Sequence, residues 1–109
     1  MRALLQRVTG ASVFVKGNNL ASIGLGLVIF LGVTHSDTEE DVRYISKKIL
    51  NLRIFPQSTN HFHASCIDIK AEILIVSQFT LYAHTRKGRR PDFTSAAPSQ
   101  HAAVLYHQL

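Results

Sequence analysis

"SQFTLYAHTRKGRRPDF", Ser77 to Phe93, joins two textures that rarely meet in a simple core strand. With "EILIV" (72–76) in front of it, the first half is apolar and β-prone, and it ends among polar groups at Ser77, Gln78 and Thr80. The second half packs Arg86, Lys87, Arg89 and Arg90 around Gly88, then turns at Pro91. A buried run that ends in a few fixed polar groups suits a ligand pocket. Four cations on one loop are the electrostatic footprint of a polyanion. The bland alternatives are a solvated basic loop and hydroxyls that satisfy backbone groups at a strand end. Charge alone does not separate the two readings.

Outward from this stretch, "LVIFLGV" (27–33) is almost wholly apolar and reads as a central strand covered on both faces. "RALLQRV" (2–8) and "ASVFVKG" (11–17) are β-prone runs separated by Thr9-Gly10, which predicts a hairpin between them. Val13 and Val15 alternate with Ser12, Phe14 and Lys16, as in a strand with one buried face. Asp37 followed by Glu40 resembles a capping box. Val42, Ile45, Ile49 and Leu52 then recur at spacings of 3, 4 and 3, one face of a helix. "PQSTNHFHAS" (56–65) reads as a polar loop and "SCIDI" (65–69) as a β-like run. Pro98-Ser99 opens a last helical run with Ala102, Leu105, Tyr106 and Leu109 apolar at helical spacing. That run stops without a glycine cap, and its half-covered apolar face predicts further material, from the same chain or a partner. With no repeat or linker, residues 1–109 read as one α+β domain.

Composition narrows the classes. The chain has 109 residues and is 46% hydrophobic, enough for a modest core. Its net charge is +5, and four of its twelve Lys and Arg residues lie between Arg86 and Arg90, so most of the basic excess is one loop. The single cysteine, Cys66, forms no internal disulfide. "MRALLQRV" lacks signal-peptide organisation and "GLGLVIFLGV" (24–33) is too short to span a bilayer. The expectation is a cytoplasmic, reducing setting with no membrane partner.

Other chemistry is thinly signalled. His61, His63 and Cys66 form an H-x-H-x2-C cluster, but no fourth ligand stands at a zinc spacing, so no metal is expected. Cys66 reads as a buried, inert thiol. Ser77 and Thr80 lie outside any G-x-S-x-G elbow. No phosphate-binding glycine motif is present, so no nucleotide cofactor is expected.

Together these residues carry a resemblance. "SQFTLYAHTRKGRRPDF" is similar to the signature segment of the D-aminoacyl-tRNA deacylases, proofreading enzymes that free tRNA from D-amino acids. "MRALLQRVTGASVFV" (1–15), "IGLGLVIFLGVTHSDTEED" (23–41) and "KILNLRIF" (48–55) resemble the same family in the same order. The resemblance implies a mostly antiparallel, barrel-like sheet with one long helix packed on it and a C-terminal helix. It implies hydrolysis of the ester of D-aminoacyl-tRNA, extending to glycyl-tRNA, by a homodimer that needs no cofactor and binds no DNA.

Residue by residue, the resemblance assigns Ser77, Gln78, Phe79 and Thr80 to the catalytic pocket. Arg7 would support a specificity element, and Arg86, Lys87, Arg89 and Arg90 would hold tRNA. Backbone N–H groups would hold the ester carbonyl and the vicinal ribose hydroxyl would assist, so Thr80 need not be a nucleophile. The family also carries a Gly-cisPro dipeptide, inserted into the partner's pocket, that rejects L-aminoacyl groups. This chain contains no Gly-Pro, ends within what resembles the C-terminal helix and lacks the strands beyond it. "HFH" (61–63) also replaces a lysine-methionine-asparagine run common in relatives. The runner-up expectation is therefore an impaired homologue acting as a tRNA-binding or assembly module.

Overall fold

A computed structural model describes all residues, Met1–Leu109. The strands are β1 (Arg2–Val8), β2 (Ala11–Val15), β3 (Asn18–Ile23), β4 (Gly26–Gly32), β5 (Phe55–Gln57), β6 (Asn60–Ala64) and β7 (Glu72–Ser77). The helices are α1 (Glu39–Asn51), α2 (Cys66–Ile69) and α3 (Ser99–Gln108). Strands β1, β4 and β7 pair in that order, while β2–β3 and β5–β6 are separate antiparallel hairpins. The chain clusters into two compact units. One comprises residues 1–4, 30–46 and 76–109, the other 5–29 and 47–75.

The apolar run at 27–33 is the middle strand of three. Leu27, Ile29 and Leu31 are essentially sealed from solvent, and Val28 between them is buried as well. Burial at both odd and even positions is what a strand covered on both faces requires, and it explains the absence of alternation in its sequence.

Four local expectations need correction. Thr9-Gly10 is not a hairpin turn, because β2 pairs with β3 rather than β1. The turn is Lys16-Gly17, between the partners Val15 and Asn18, with φ of 51° and 80°. Two positive φ values in a two-residue loop match the right-handed twist of the strands it joins, and glycine adopts one of them freely. The helix cap also lies one residue later than Asp37. The Thr38 N–H donates to Asp41 Oδ2 at 2.8 Å, while Asp37 is buried and accepts from the Met1 ammonium at 2.6 Å and the Thr34 N–H at 2.8 Å. The polar segment after Phe55 is a hairpin rather than a loop, turning through Ser58 at φ 51°. "SCIDI" is not a strand, because Ser65 and Asp68 exchange the two hydrogen bonds of a capping box and start α2.

Within the first unit, α3 lays Leu105 against Val33 and Val42, with Ala102 and Leu109 beside them. The apolar face expected to be half covered is thus packed against the end of β4 and against α1. No helix is long and apolar enough to cross a membrane.

Candidate functional site

The polar end of β7 leads into a single 3-10 turn, Phe79–Tyr82. Gln78 donates its N–H to Leu31 O at 2.8 Å, which ties the turn to the end of β4. The fit is close at Gly32. A Cβ on it would meet Leu81 Cβ at 3.1 Å and Gln78 O at 3.2 Å. From β1, Arg2 donates to Leu81 O at 2.8 Å and its guanidinium stacks 4.5 Å above the Tyr82 ring. A turn this short leaves its first donors without partners. The Phe79 and Thr80 N–H groups accordingly find no backbone acceptor.

Beside the turn lies a cleft of about 490 Å³. Ser77 and Phe79 line one side, and Ala102, Ala103 and Tyr106 of α3 line another. The strap 93–97 closes it with Phe93, Ala96 and Ala97. Phe79 and Phe93 meet edge to face, their ring centres 5.2 Å apart. The many alanines and serines keep the cleft open, so it combines apolar walls with a few hydroxyls. Of the four sequence-predicted pocket residues, Ser77 and Phe79 reach it. Gln78 and Thr80 do not line it, and the Gln78 amide donates to the Thr80 hydroxyl. That hydroxyl has no imidazole or carboxylate as hydrogen-bond partner, so it lacks the activation a nucleophile needs.

Beyond Phe93 the strap gave no sequence signal, yet Phe93, Ala96 and Ala97 all line the cleft. The strap is fastened at several points. Ala97 N–H donates to Val33 O at 2.9 Å, and Thr34 Oγ1 donates to Ser95 O at 2.5 Å. The imidazole of His35 lies 2.7 Å from Thr94 O, and that of His84 lies 2.7 Å from Ser95 Oγ.

The basic loop is closed at its foot by reciprocal backbone bonds between His84 and Asp92, of 2.8 and 2.9 Å. Arg86, Lys87, Arg89 and Arg90 are all exposed, and none pairs with a carboxylate. At the loop's base, His84, Arg86, Lys87 and Asp92 surround a hollow of about 280 Å³. The Thr94 N–H, 2.8 Å from Asp92 Oδ1, holds that carboxyl below the usual carboxylate range.

In the second unit, Arg7 donates to Ile54 O at 2.8 Å and His61 O at 3.3 Å, and so braces the β5–β6 hairpin at both ends. His61, His63 and Cys66 are not gathered into a metal-binding group. Cys66 is 3% exposed, and burial pushes its thiol pKa up, as expected of an inert thiol.

The model of the D-Tyr-tRNA(Tyr) deacylase family matches residues 4–109. A D-aminoacyl-tRNA deacylase from Bacillus licheniformis is 50% identical over 99% of this chain and 74% of its own length. One from Halothermothrix orenii is 53% identical over 97% of this chain and 71% of its length. Among solved structures, the c-Myc DNA unwinding element binding protein superposes with a TM-score of 0.91 at 42% identity. That match covers 98% of this chain and 72% of that one. A probable eukaryotic D-amino acid tRNA deacylase shares the fold, with a TM-score of 0.82 at 21% identity over 97% of this chain and 62% of that one.

Proposed function

Because this chain belongs to the D-Tyr-tRNA(Tyr) deacylase family, we propose that it hydrolyses the ester joining a D-amino acid to the terminal ribose of tRNA. The observation that carries the reading is an identity of 50% that runs through 99% of the chain, the cleft at the end of β7 included. Water adds to the ester carbonyl carbon, the bond to the ribose oxygen breaks, and that oxygen takes up a proton. The products are a free D-amino acid and a tRNA able to be charged again, which makes the activity a chiral proofreading step in translation.

The site residues follow from the chemistry of that substrate. The aminoacyl-adenosine end is small and partly apolar, and the cleft between Phe79, Phe93 and α3 offers apolar walls with hydroxyls. Backbone N–H groups of the turn that begins at Phe79 hold the carbonyl oxygen as it gains charge. Ser77 lines the same cleft, and Gln78 fixes Thr80 in the turn. Arg86, Lys87, Arg89 and Arg90 hold the phosphates of the acceptor end, and Arg7 braces a hairpin that supports specificity. The ribose hydroxyl next to the ester assists, so the chain supplies no covalent nucleophile.

Incubation with D-Tyr-tRNA tests the reading, with L-Tyr-tRNA as the stereochemical control. The half-life of D-Tyr-tRNA is expected to shorten by more than about tenfold at micromolar protein, each factor of ten reflecting about 1.4 kcal/mol of barrier. An unchanged half-life sinks the enzyme reading and leaves only the tRNA-binding module. The name of the 42%-identical structure describes a DNA element, so duplex DNA belongs in the matching binding assay.

A homodimer is part of the same proposal. Strands β1 and β7 are the outer members of their sheet, each with one strand neighbour, and unpaired edges seek partners. Light scattering over a wide concentration range is expected to give twice the 12.1 kDa chain mass. A monodisperse particle of single-chain mass at high concentration would contradict it.

A further inference from the structure

His84 sits where three parts of the first unit meet. Its backbone closes the foot of the basic loop through the reciprocal bonds with Asp92. Its imidazole is exposed and, with Arg86 and Lys87, walls the hollow at the base of that loop. The Nε2 atom of the same ring lies 2.7 Å from Ser95 Oγ. Ser95 in turn belongs to the strap whose neighbours Phe93 and Ala96 line the cleft. Its carbonyl is fastened to Thr34, so the strap hangs between the end of β4 and the His84 ring. Asp92 makes a second link from the loop's foot to the strap, its Oδ1 accepting from the Thr94 N–H at 2.8 Å, but His84 is the one whose ring also walls the hollow and bonds a strap side chain.

We propose that His84 is a positioning residue that couples the loop to the cleft: phosphate contacts on the loop set the imidazole, and the imidazole sets the strap through Ser95. The inference rests on the deacylase reading, and it adds a route by which the body of the tRNA improves chemistry at its own 3′ end. A phosphate drawn into the hollow by Arg86 and Lys87 reaches the outer edge of the ring, where the second ring nitrogen is available to it. Ring orientation then becomes a function of loop occupancy. Asp92, the one carboxylate that lines the same hollow, is engaged by the Thr94 N–H of the strap. Binding energy from a remote, non-reacting part of a substrate is thereby spent on orientation at the reacting centre.

Two substrates separate this from a purely structural role. D-Tyr-tRNA engages the loop, whereas D-tyrosyl-adenosine carries the ester and no phosphate. His84→Ala is expected to lower kcat on D-Tyr-tRNA about three- to tenfold, the range one side-chain hydrogen bond spans. Turnover of D-tyrosyl-adenosine stays within about twofold, inside the smallest effect such a bond produces. Ser95→Ala gives the same pattern, and the double variant loses no more than either alone, as expected of two residues acting as one link. His84→Gln, whose amide reaches the Ser95 hydroxyl, restores most of kcat, and a thermal melt of each variant confirms the fold. Equal losses on both substrates, a change in KM alone, or additive losses in the double variant would overturn the coupling and leave the deacylase reading intact. Failure of the unaltered chain to hydrolyse either ester would overturn the deacylase reading itself.

Discussion

Replacing Gly26 by alanine is expected to abolish the native fold or to lower its melting temperature on the order of 20 °C. A Cβ at this position would lie 1.8 Å from the carbonyl oxygen of Glu72 and 2.7 Å from its carbonyl carbon. Both are backbone atoms of the neighbouring strand, so no rotamer change relieves the overlap. The two strands must move apart where Glu72 N–H donates to Leu25 O at 3.1 Å and Glu72 Oε1 accepts from Gly24 N–H at 3.0 Å. Just downstream on β4 come Leu27 and Ile29, among the most deeply buried side chains of the molecule. Overpacking that side chains can absorb costs about 1–3 kcal/mol. An overlap of two backbones belongs at the rare upper end, above about 4 kcal/mol, out of a total stability of about 5–15 kcal/mol. For a chain this short, each kcal/mol shifts the melting temperature by about 4–8 °C. Gly10→Ala is the matched control, because its Cβ would meet only Ile23 O, at an ordinary 3.6 Å. Circular dichroism melts decide the matter. A Gly26→Ala protein that melts within a few degrees of the Gly10→Ala protein would show that β4 and β7 do not approach as closely as described.

The parts of the fold that read clearly from sequence are those whose burial follows a simple rule. A strand covered on both faces must be apolar throughout, and β4 is. A helix with one buried face repeats apolar residues at helical spacing, so Val42 and Ile49 were legible and are buried. The hairpin β5–β6 obeys neither rule. Of its residues only Phe55 and Ala64 are buried, at its base, and the rest is exposed on both sides, so it shows no alternation to read. What holds it is Arg7, a contact that spans 47 and 54 residues of sequence. The choice of β3 over β1 as the partner of β2 depends on positive φ at Lys16 and Gly17, while Thr9-Gly10 offered an equally plausible turn by composition. The candidate site divides the same way. Ser77 and Phe79 announce themselves because polar groups interrupt an apolar run. Beyond Phe93 the strap 93–97 is silent, because alanines that leave space carry no chemical signature, and His84 gains its role only through Ser95, eleven residues away.

Changing Arg86, Lys87, Arg89 and Arg90 together to alanine is expected to weaken tRNA binding by about two to three orders of magnitude at about 50 mM salt. Each cation that meets a phosphate releases a condensed counterion, and log affinity falls with log salt by about 0.7–0.9 per contact. Four lost contacts should therefore flatten the slope by about 3. The variant should fold as well as the unaltered protein, because the four side chains are exposed and form no ion pair that the substitution would break. The loop's foot also stays closed by the backbone bonds between His84 and Asp92. Kinetically the loss belongs in KM for D-Tyr-tRNA, together with the fall in kcat of about three- to tenfold that the His84 link assigns to an unoccupied loop. D-Tyrosyl-adenosine, which has no phosphate to lose, should be hydrolysed at the original rate. Fluorescence anisotropy of labelled tRNA between about 50 and 200 mM salt measures affinity and slope together. Affinity and slope both unchanged would mean that the loop does not hold tRNA. Weaker binding with an unchanged slope would mean that these residues act by shape rather than by charge, for an arginine can stack on a base as readily as it pairs with a phosphate. The counterion argument predicts that the two quantities fall together, since on this loop nothing but the four charges has been removed.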